Sequence, residues 1–503
     1  MMSRSGLATW TTREMRGLRH PSASSVLAGI SLALAAAYAV AIVRSGGDAL
    51  LLIPLIGALV VLGVLAHPAV GLYVLFGSAL LFEQFLVPGL SPITQYSRIF
   101  QNLSVYTPIP LRFSMVDLLI LLTAAGLAAQ HLRARHEPLR MGAFGWAIVA
   151  YFAVFLLGIV IGAARGGAWK PDVALNELRA PVHLCVSYFL AANLLRERRQ
   201  LQVVMWLFVV VVGIKALQAI LNYLEARSLS YWLDAVSSHE DVVFWAPTVA
   251  LAVVALVLGL RTRLAYALFA TAPIILAAEF LSNRRVGFIA LGVTLVAVTV
   301  LLFFSHPRRA TTIAAIGATV VVSYTLLFWD AEGPIAEPLR AVRTIVDPSG
   351  LPLVDQFSNT WREIENDNIA YTVQHLPATG VGLGQRYLFE REPSEVPFEY
   401  WRFITHNAPL WLWLKAGPIG AFALWFLVAR ALLVSAALYR RHAEPSLRLV
   451  IALPIALVVS QIVFSSVELG LTYSRTMIAL GTTLGLASLV AAQRSPTQGR
   501  PTP

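Results

Sequence analysis

Residues 286–304 read VGFIALGVTLVAVTVLLFF, with no charged side chain among them. A helix crosses the hydrocarbon core of a bilayer with roughly 20 apolar residues. Lipid offers no partner to an unpaired peptide group, so a run of this kind must be helical. Arg284 and Arg285 stop it on one side, and Arg308 and Arg309 lie just beyond its other end. Working outward, similar runs recur near 26–43, 49–66, 69–87, 115–131, 142–163, 175–195, 201–221, 241–260, 264–281, 310–328, 408–438, 447–466 and 475–492. Hydrophobic residues make up 57% of the chain and charged residues 13%. A water-soluble helical protein could not cover so many apolar faces. The expected fold class is an all-α polytopic membrane protein with about 12–14 transmembrane helices, each near the length a bilayer demands.

The net charge of +11 does not point to nucleic acid, because the arginines form no basic stripe and instead punctuate the apolar runs. That pattern sets membrane orientation, since short cytoplasmic loops are rich in Lys and Arg. With the N-terminus in the cytoplasm, that side carries Arg133, Arg135, Arg140, Arg196, Arg198, Arg199, Arg261, Arg263, Arg308, Arg309, Arg440, Arg441 and Arg448. The other side carries fewer positives: Arg44, Arg98, Arg112, Arg165, Lys170, Arg227, Arg284 and Arg285. Both termini are then cytoplasmic. The stretch to Ser25 resembles the n-region of a signal peptide, but 26–43 is long for an h-region and has no small-residue cleavage site, so it reads as a retained span. The expected organisation is a cytoplasmic segment 1–25, transmembrane helices over 26–328, one large external loop over 329–407, further transmembrane helices over 408–492 and a cytoplasmic tail 493–503. Cys185 is the single cysteine and lies in an apolar run, which excludes a disulfide framework.

Several residues are candidates for chemistry. Arg284 and Arg285 fall in a tiny external turn, where the charge rule disfavours them. Guanidinium groups match phosphate oxygens with paired hydrogen bonds; the bland alternative is snorkelling to headgroups. Glu177 and Arg179 lie near the outer end of a span, and intramembrane charges are functional suspects or structural ion pairs. Lys215, Glu83, Glu279, Glu468 and Arg475 are weaker cases of the same kind. His406, followed by Asn407, stands at the mouth of a span. It is either a helix-start residue or a general base of suitable pKa, and nearby arginines would favour its neutral form. Gly380-Val381-Gly382-Leu383-Gly384 lacks the context of a dinucleotide fold and reads as a place of close backbone packing. His239-Glu240-Asp241 and the carboxylates Glu363, Glu365 and Asp367 have no specific ligand spacing, so no metal site is expected. Trp401, Phe403, Trp411 and Trp413 read as an interfacial belt or the lining of a lipid cleft.

Three pieces occur together in order: Ser282-Asn283-Arg284-Arg285; Trp361-Arg362, a helix, Pro377 and the glycine run 380–384; and His406-Asn407-Ala408-Pro409-Leu410 with Gly417 and Gly420. In this order, with a long external loop between, the chain resembles the O-antigen ligase and polymerase superfamily of bacterial inner membranes over about residues 270–425. The first signature's arginine has two candidates here, Arg284 and Arg285. The loop also lacks the Ser-Gly that usually precedes its arginine, the role that falls on Arg362.

The resemblance implies a GT-C-like membrane glycosyltransferase in the Gram-negative inner membrane, with its site facing the periplasm. The donor would be a glycan on polyprenyl (undecaprenyl) diphosphate and the acceptor the lipid A–core oligosaccharide. His406 would be the base; Arg284, Arg285 and Arg362 would stabilise the departing diphosphate without metal or cofactor; Glu177, Arg179 and Asn407 would support them. Two other readings stand beside the ligase: an O-antigen polymerase using the same donor site, and a secondary transporter, which would show broken helices at matching positions of two halves.

Overall fold

The computed structural model describes residues 36–40, 43–44, 52–87, 89, 92–105, 112–133, 138–228, 235–282, 284–331, 333–347, 351–395 and 398–493. Most of the expected first span, the segment 1–25 and residues 494–503 lie outside the described residues. The chain divides after Leu62, and the described residues from Gly63 onward belong to one helical body.

The numbered helices are α1 (Leu52–Ala66), α2 (Pro68–Leu81), α3 (Met115–Arg133), α4 (Gly145–Arg165), α5 (Pro171–Leu194), α6 (Arg198–Ser228), α7 (Asp241–Val257), α8 (Arg263–Leu281), α9 (Arg285–Phe303), α10 (Pro307–Phe328), α11 (Glu337–Val346), α12 (Leu353–His375), α13 (Ala408–Arg441), α14 (Pro445–Ser465) and α15 (Ser474–Ala492). No β-strand occurs among the described residues. Among them, 9 helices are long and apolar enough to cross a membrane: α3, α4, α6, α8, α9, α10, α13, α14 and α15. Apolar helices in α1, α2 and α7 are shorter. α5 has 24 residues but carries Asp172, Glu177 and Arg179. Proline opens α2, α5, α10 and α14, where its missing N–H costs nothing. The Asn407 side chain caps α13 by accepting from the Leu410 N–H at 3.3 Å.

Small residues set the tightest packing. α5 lies along α15, and side chains at Gly481 and Gly485 would collide with the Leu184 carbonyl and Ala191 on α5. Two glycines four apart let helix backbones approach closely enough for dispersion to hold them.

The two ends of the body differ. At one end Arg198 pairs with Glu444 at 2.7 Å, Arg309 donates to the Val257 carbonyl at 2.7 Å and Arg440 lies 5.7 Å from the Phe304 ring centre. These contacts join the basic turns between α5 and α6, α7 and α8, α9 and α10, and α13 and α14. The turns α8–α9 and α14–α15, with the start of α13, lie at the other ends of the same helices.

The long connection 329–407 departs from a plain external loop. It contains α11 and α12, and its glycine run enters the helical body. α13 breaks at Gly417, with φ 68° and ψ −162°, so carbonyls before the break lose their helical partners. Val381 N–H donates to the Leu414 carbonyl at 2.8 Å, and Gly382 N–H to the Lys415 carbonyl at 3.0 Å. On the other side Leu383 N–H donates to the Gly158 carbonyl of α4 at 2.8 Å. Gly162 and Gly382 leave no room between them for a methyl group. Irregular backbone is tolerated at membrane depth when protein groups satisfy it in this way.

Candidate functional site

The end of the body away from the basic turns holds a cavity of about 840 Å³. Its walls come from the α8–α9 turn, α11, α12, the segment before α13 and the α14–α15 turn. Arg284, Arg285, Arg362, His406 and Asn407 all line it, together with Glu363, Glu365, Asp367 and Glu468, so nine of the residues singled out in the sequence share one space. Glu177 and Arg179 do not line it.

α12 presents Arg362 and Glu365 to the cavity one helical turn apart. Arg362 is held by three acceptors: the Val467 carbonyl at 3.1 Å, Ser358 Oγ at 2.7 Å and Glu468 Oε1 at 3.1 Å. Arg285 donates to Thr344 Oγ1 at 2.8 Å and lies 3.5 Å from Asp355. Arg340, on α11, was not legible in the sequence as a site residue. It also lines the cavity, bonding Asp355 at 3.0 Å and pairing with Glu337. Asp355 thus joins Arg285 and Arg340, and the burial of both Glu337 and Asp355 keeps this cluster partly dry.

His406 is fixed by Glu365. The carboxylate accepts the His406 backbone N–H at 2.8 Å and stands 3.2 Å from Nδ1. The Trp361 ring meets the imidazole edge-on at 5.1 Å. A Nδ1–H directed at Glu365 leaves Nε2 as the ring nitrogen with a lone pair. Burial disfavours the imidazolium, but the hydrogen bond and charge of Glu365, with help from Glu468, outweigh it and raise the pKa above 6.5, against the opposing pull of Arg362. This corrects the expectation that the arginines would favour the neutral ring; Glu365, in contact with Nδ1, and Glu468 together outweigh Arg362. Glu468 moves the other way. Burial alone would raise it, but His239, Arg362 and His406 hold it below the usual carboxylate range.

The remaining candidates serve elsewhere. Glu177 and Lys415 form a fully buried pair at 2.9 Å, and Glu177 also accepts the Gly384 N–H at 2.6 Å. Lys415 donates to the Gln385 carbonyl at 2.6 Å. The pair therefore holds the glycine run against the break in α13. Arg179 donates to Asn102 at 2.7 Å and to the Arg112 carbonyl, and lies 3.4 Å from Asp117, which also contacts His183 at 2.7 Å. Lys215 pairs with Glu83, and Arg475 with Asp241 at 2.7 Å and Glu240 at 3.5 Å. His239 turns instead to Glu468 at 3.8 Å, so 239–241 do not converge. No group of three or more His, Cys, Asp or Glu among the described residues could hold a metal ion.

The aromatic belt expected at 401–413 is not one. Trp401, Phe403 and Trp411 are buried, Trp411 donating to the Phe403 carbonyl at 3.1 Å, and only Trp413 of the four is exposed. Trp401 stacks on Phe389 at 5.8 Å between ring centres, and Trp411 lies 6.1 Å from the Phe155 ring centre.

Glu365, Arg340 and Asp355 are the functional candidates that sequence reasoning did not assign to the site. The spacing of Arg362 and Glu365 on one helix face was the available signal for Glu365; nothing local marks Asp355. Comparison with protein-family models and with curated protein sequences gives no match.

Proposed function

We propose that this chain is an O-antigen ligase, a membrane glycosyltransferase that moves a glycan from polyprenyl diphosphate to the lipid A–core oligosaccharide. The observation that carries this reading is the convergence of His406 with Arg362, Arg284 and Arg285 in one cavity, at the helix ends opposite the basic turns. Basic turns belong to the cytoplasm, so the cavity faces the periplasm of the Gram-negative inner membrane.

The reaction needs two things from the protein. A sugar hydroxyl is a poor nucleophile until its proton leaves. His406 Nε2 takes that proton as the hydroxyl oxygen bonds the anomeric carbon, a contribution of about 10²–10⁴-fold for a positioned base. The bond from that carbon to the diphosphate oxygen breaks, and its electron pair leaves with the diphosphate. The arginine wall stabilises the charge that develops there, the task a preorganised electrostatic site does best. A single displacement of this kind inverts the anomeric centre. Asn407, beside Asn366 at 3.2 Å, supplies amide groups suited to sugar hydroxyls.

One further observation disfavours a transporter. Among the described helices only α13 contains a non-helical residue, and the glycine run fills that break. Transport by alternating access favours paired breaks lining a substrate path.

The test is glycan transfer from a purified polyprenyl-diphosphate donor to lipid A–core in detergent with excess chelator. The native protein should transfer and His406→Ala should not. Chain growth on the carrier lipid without transfer to lipid A–core would make the protein a polymerase, and rescue only by added divalent metal would overturn the arginine account of the leaving group.

A further inference from the structure

The tripeptide His239-Glu240-Asp241, at the start of α7, divides its side chains between the two ends of the α14–α15 turn. His239 Nδ1 lies 3.8 Å from Glu468 Oε1, near the start of that turn. Glu240 and Asp241 take Arg475, at the far end, at 3.5 and 2.7 Å. Gln84 adds to this hold by accepting the Ser474 N–H at 2.7 Å, and Gln461 by donating to the Gly470 carbonyl at 2.8 Å. Arg475, Glu240 and Asp241 are buried, and separating such groups would leave charges unpaired and out of water. The turn is thus a fixed mount for Glu468.

Glu468 in its turn helps to hold Arg362. The guanidinium donates to the Val467 carbonyl, Ser358 and Glu468. It has five N–H groups, so two of them, one on each Nη, remain for a ligand in the cavity. One carboxylate oxygen, Glu468 Oε1, meets both Arg362 at 3.1 Å and His239 at 3.8 Å. Arginine stays charged throughout, whereas an imidazole changes charge in the neutral range. The His239 side chain is 43% exposed, so solvent can supply and remove its proton. With His239 charged, this trio carries one positive charge in excess. With His239 neutral, Glu468 cancels the charge of Arg362.

The other groups around Glu468 come from several elements. Against its burial, His239 before α7, Arg362 on α12 and His406 before α13 hold Glu468 in its charged form. Tyr473, in the same turn, stays protonated through burial and then through Glu468 and Glu240, with Arg284 opposing. The two imidazoles are therefore the groups to separate in any test.

We propose that His239 is a positioning residue for the arginine wall: in its charged form it shares Glu468 with Arg362 and so strengthens the hold of the cavity on a diphosphate, and in its neutral form it leaves Glu468 to Arg362 alone. Proton and anion then favour each other's binding by the same factor. That the anion is a diphosphate rests on the ligase reading.

The test is calorimetric binding of inorganic diphosphate to the full chain in detergent, with excess chelator, between pH 5.5 and 8. A His406→Gln background removes the other imidazole. Affinities are compared as ratios between variants at each pH, which cancels the probe's own titration. His239→Gln should bind several-fold more weakly than its parent at pH 5.5 and equally at pH 8. His239→Lys should match the parent at pH 5.5 and bind several-fold more tightly at pH 8. Either arm decides alone if the other variant fails to fold. Ratios that do not change with pH would overturn this role for His239 and leave the ligase reading standing. Diphosphate that does not bind the native protein at any pH would overturn the arginine wall and this proposal with it. The expected ratios in a protein that transfers no glycan would overturn the ligase reading alone.

Discussion

Glu365 and His406 are joined twice: the carboxylate takes the His406 backbone N–H at 2.8 Å and stands 3.2 Å from Nδ1 of the same residue. One side chain, buried on α12, thus sets both the position of the segment before α13 and the tautomer of its imidazole. This is the arrangement of a base and the group that orients it.

The pH dependence follows with a definite sign. His406 titrates above 6.5, because Glu365 and Glu468 outweigh burial and Arg362. Its ion pair with Glu365 adds stability that is complete below the ordinary histidine range and fades as pH rises through the raised value. Under the proposed mechanism the neutral ring is the base, so catalysis should run the opposite way. The acid limb of kcat/KM should lie above pH 6.5. Glu365→Gln keeps an acceptor but removes the charge, so the limb should move to lower pH. An unmoved limb would remove Glu365 from this role.

Arg362→Ala should lower kcat by about 10²–10³-fold, the usual cost of losing one preorganised stabiliser of transition-state charge. Arg362→Lys should recover only part of it. A single ammonium cannot reproduce a planar fork held at once by Val467, Ser358 and Glu468. Steady-state transfer rates at saturating donor check both, and full activity in either variant would take Arg362 out of the site.

The buried pair Glu177–Lys415 should behave as a structural unit. Lys415→Met leaves a carboxylate uncompensated and should cost about 3–5 kcal/mol. Adding Glu177→Gln should restore most of this, since the amide oxygen still accepts the Gly384 N–H. Unfolding midpoints in detergent would show it, and a double variant less stable than Lys415→Met would contradict it.

Two glycines with positive φ separate conformation from space. Gly166 has φ +63° and ψ −141°, a glycine-favouring backbone, with open space around it, so Gly166→Ala should cost only about 1–3 kcal/mol of backbone strain. Gly382 has φ +89° and faces the Gly162 backbone. Gly382→Ala should be far more damaging, lowering the unfolding midpoint well beyond Gly166→Ala. Equal shifts would mean that the glycine run is not wedged between α4 and α13.

Much of the helical framework was legible in sequence. Runs such as 286–304 and 447–466 appear as α9 and α14 within a residue or two, because a bilayer permits one backbone solution for a long apolar segment. The basic turns were legible for a related reason: a charge too costly to bury must sit between spans. His406, Arg284, Arg285 and Arg362 also stood out, as charged or titratable groups at span ends and in a resemblance carried by ordered motifs. The roles of Glu177 and of the tryptophans did not, because a buried charge or ring looks the same in sequence whether it faces a substrate, lipid or another helix.

Sequence alone determined that this chain forms apolar helices and which turns are basic, since both follow from transfer free energies that act residue by residue. Only the tertiary structure decided that Glu365 orients His406, that Asp355 links Arg285 to Arg340, and that the glycine run satisfies the carbonyls freed at Gly417. Those are contacts between segments far apart in the chain, and their energies exist only once helix packing has brought the partners to within a few ångströms.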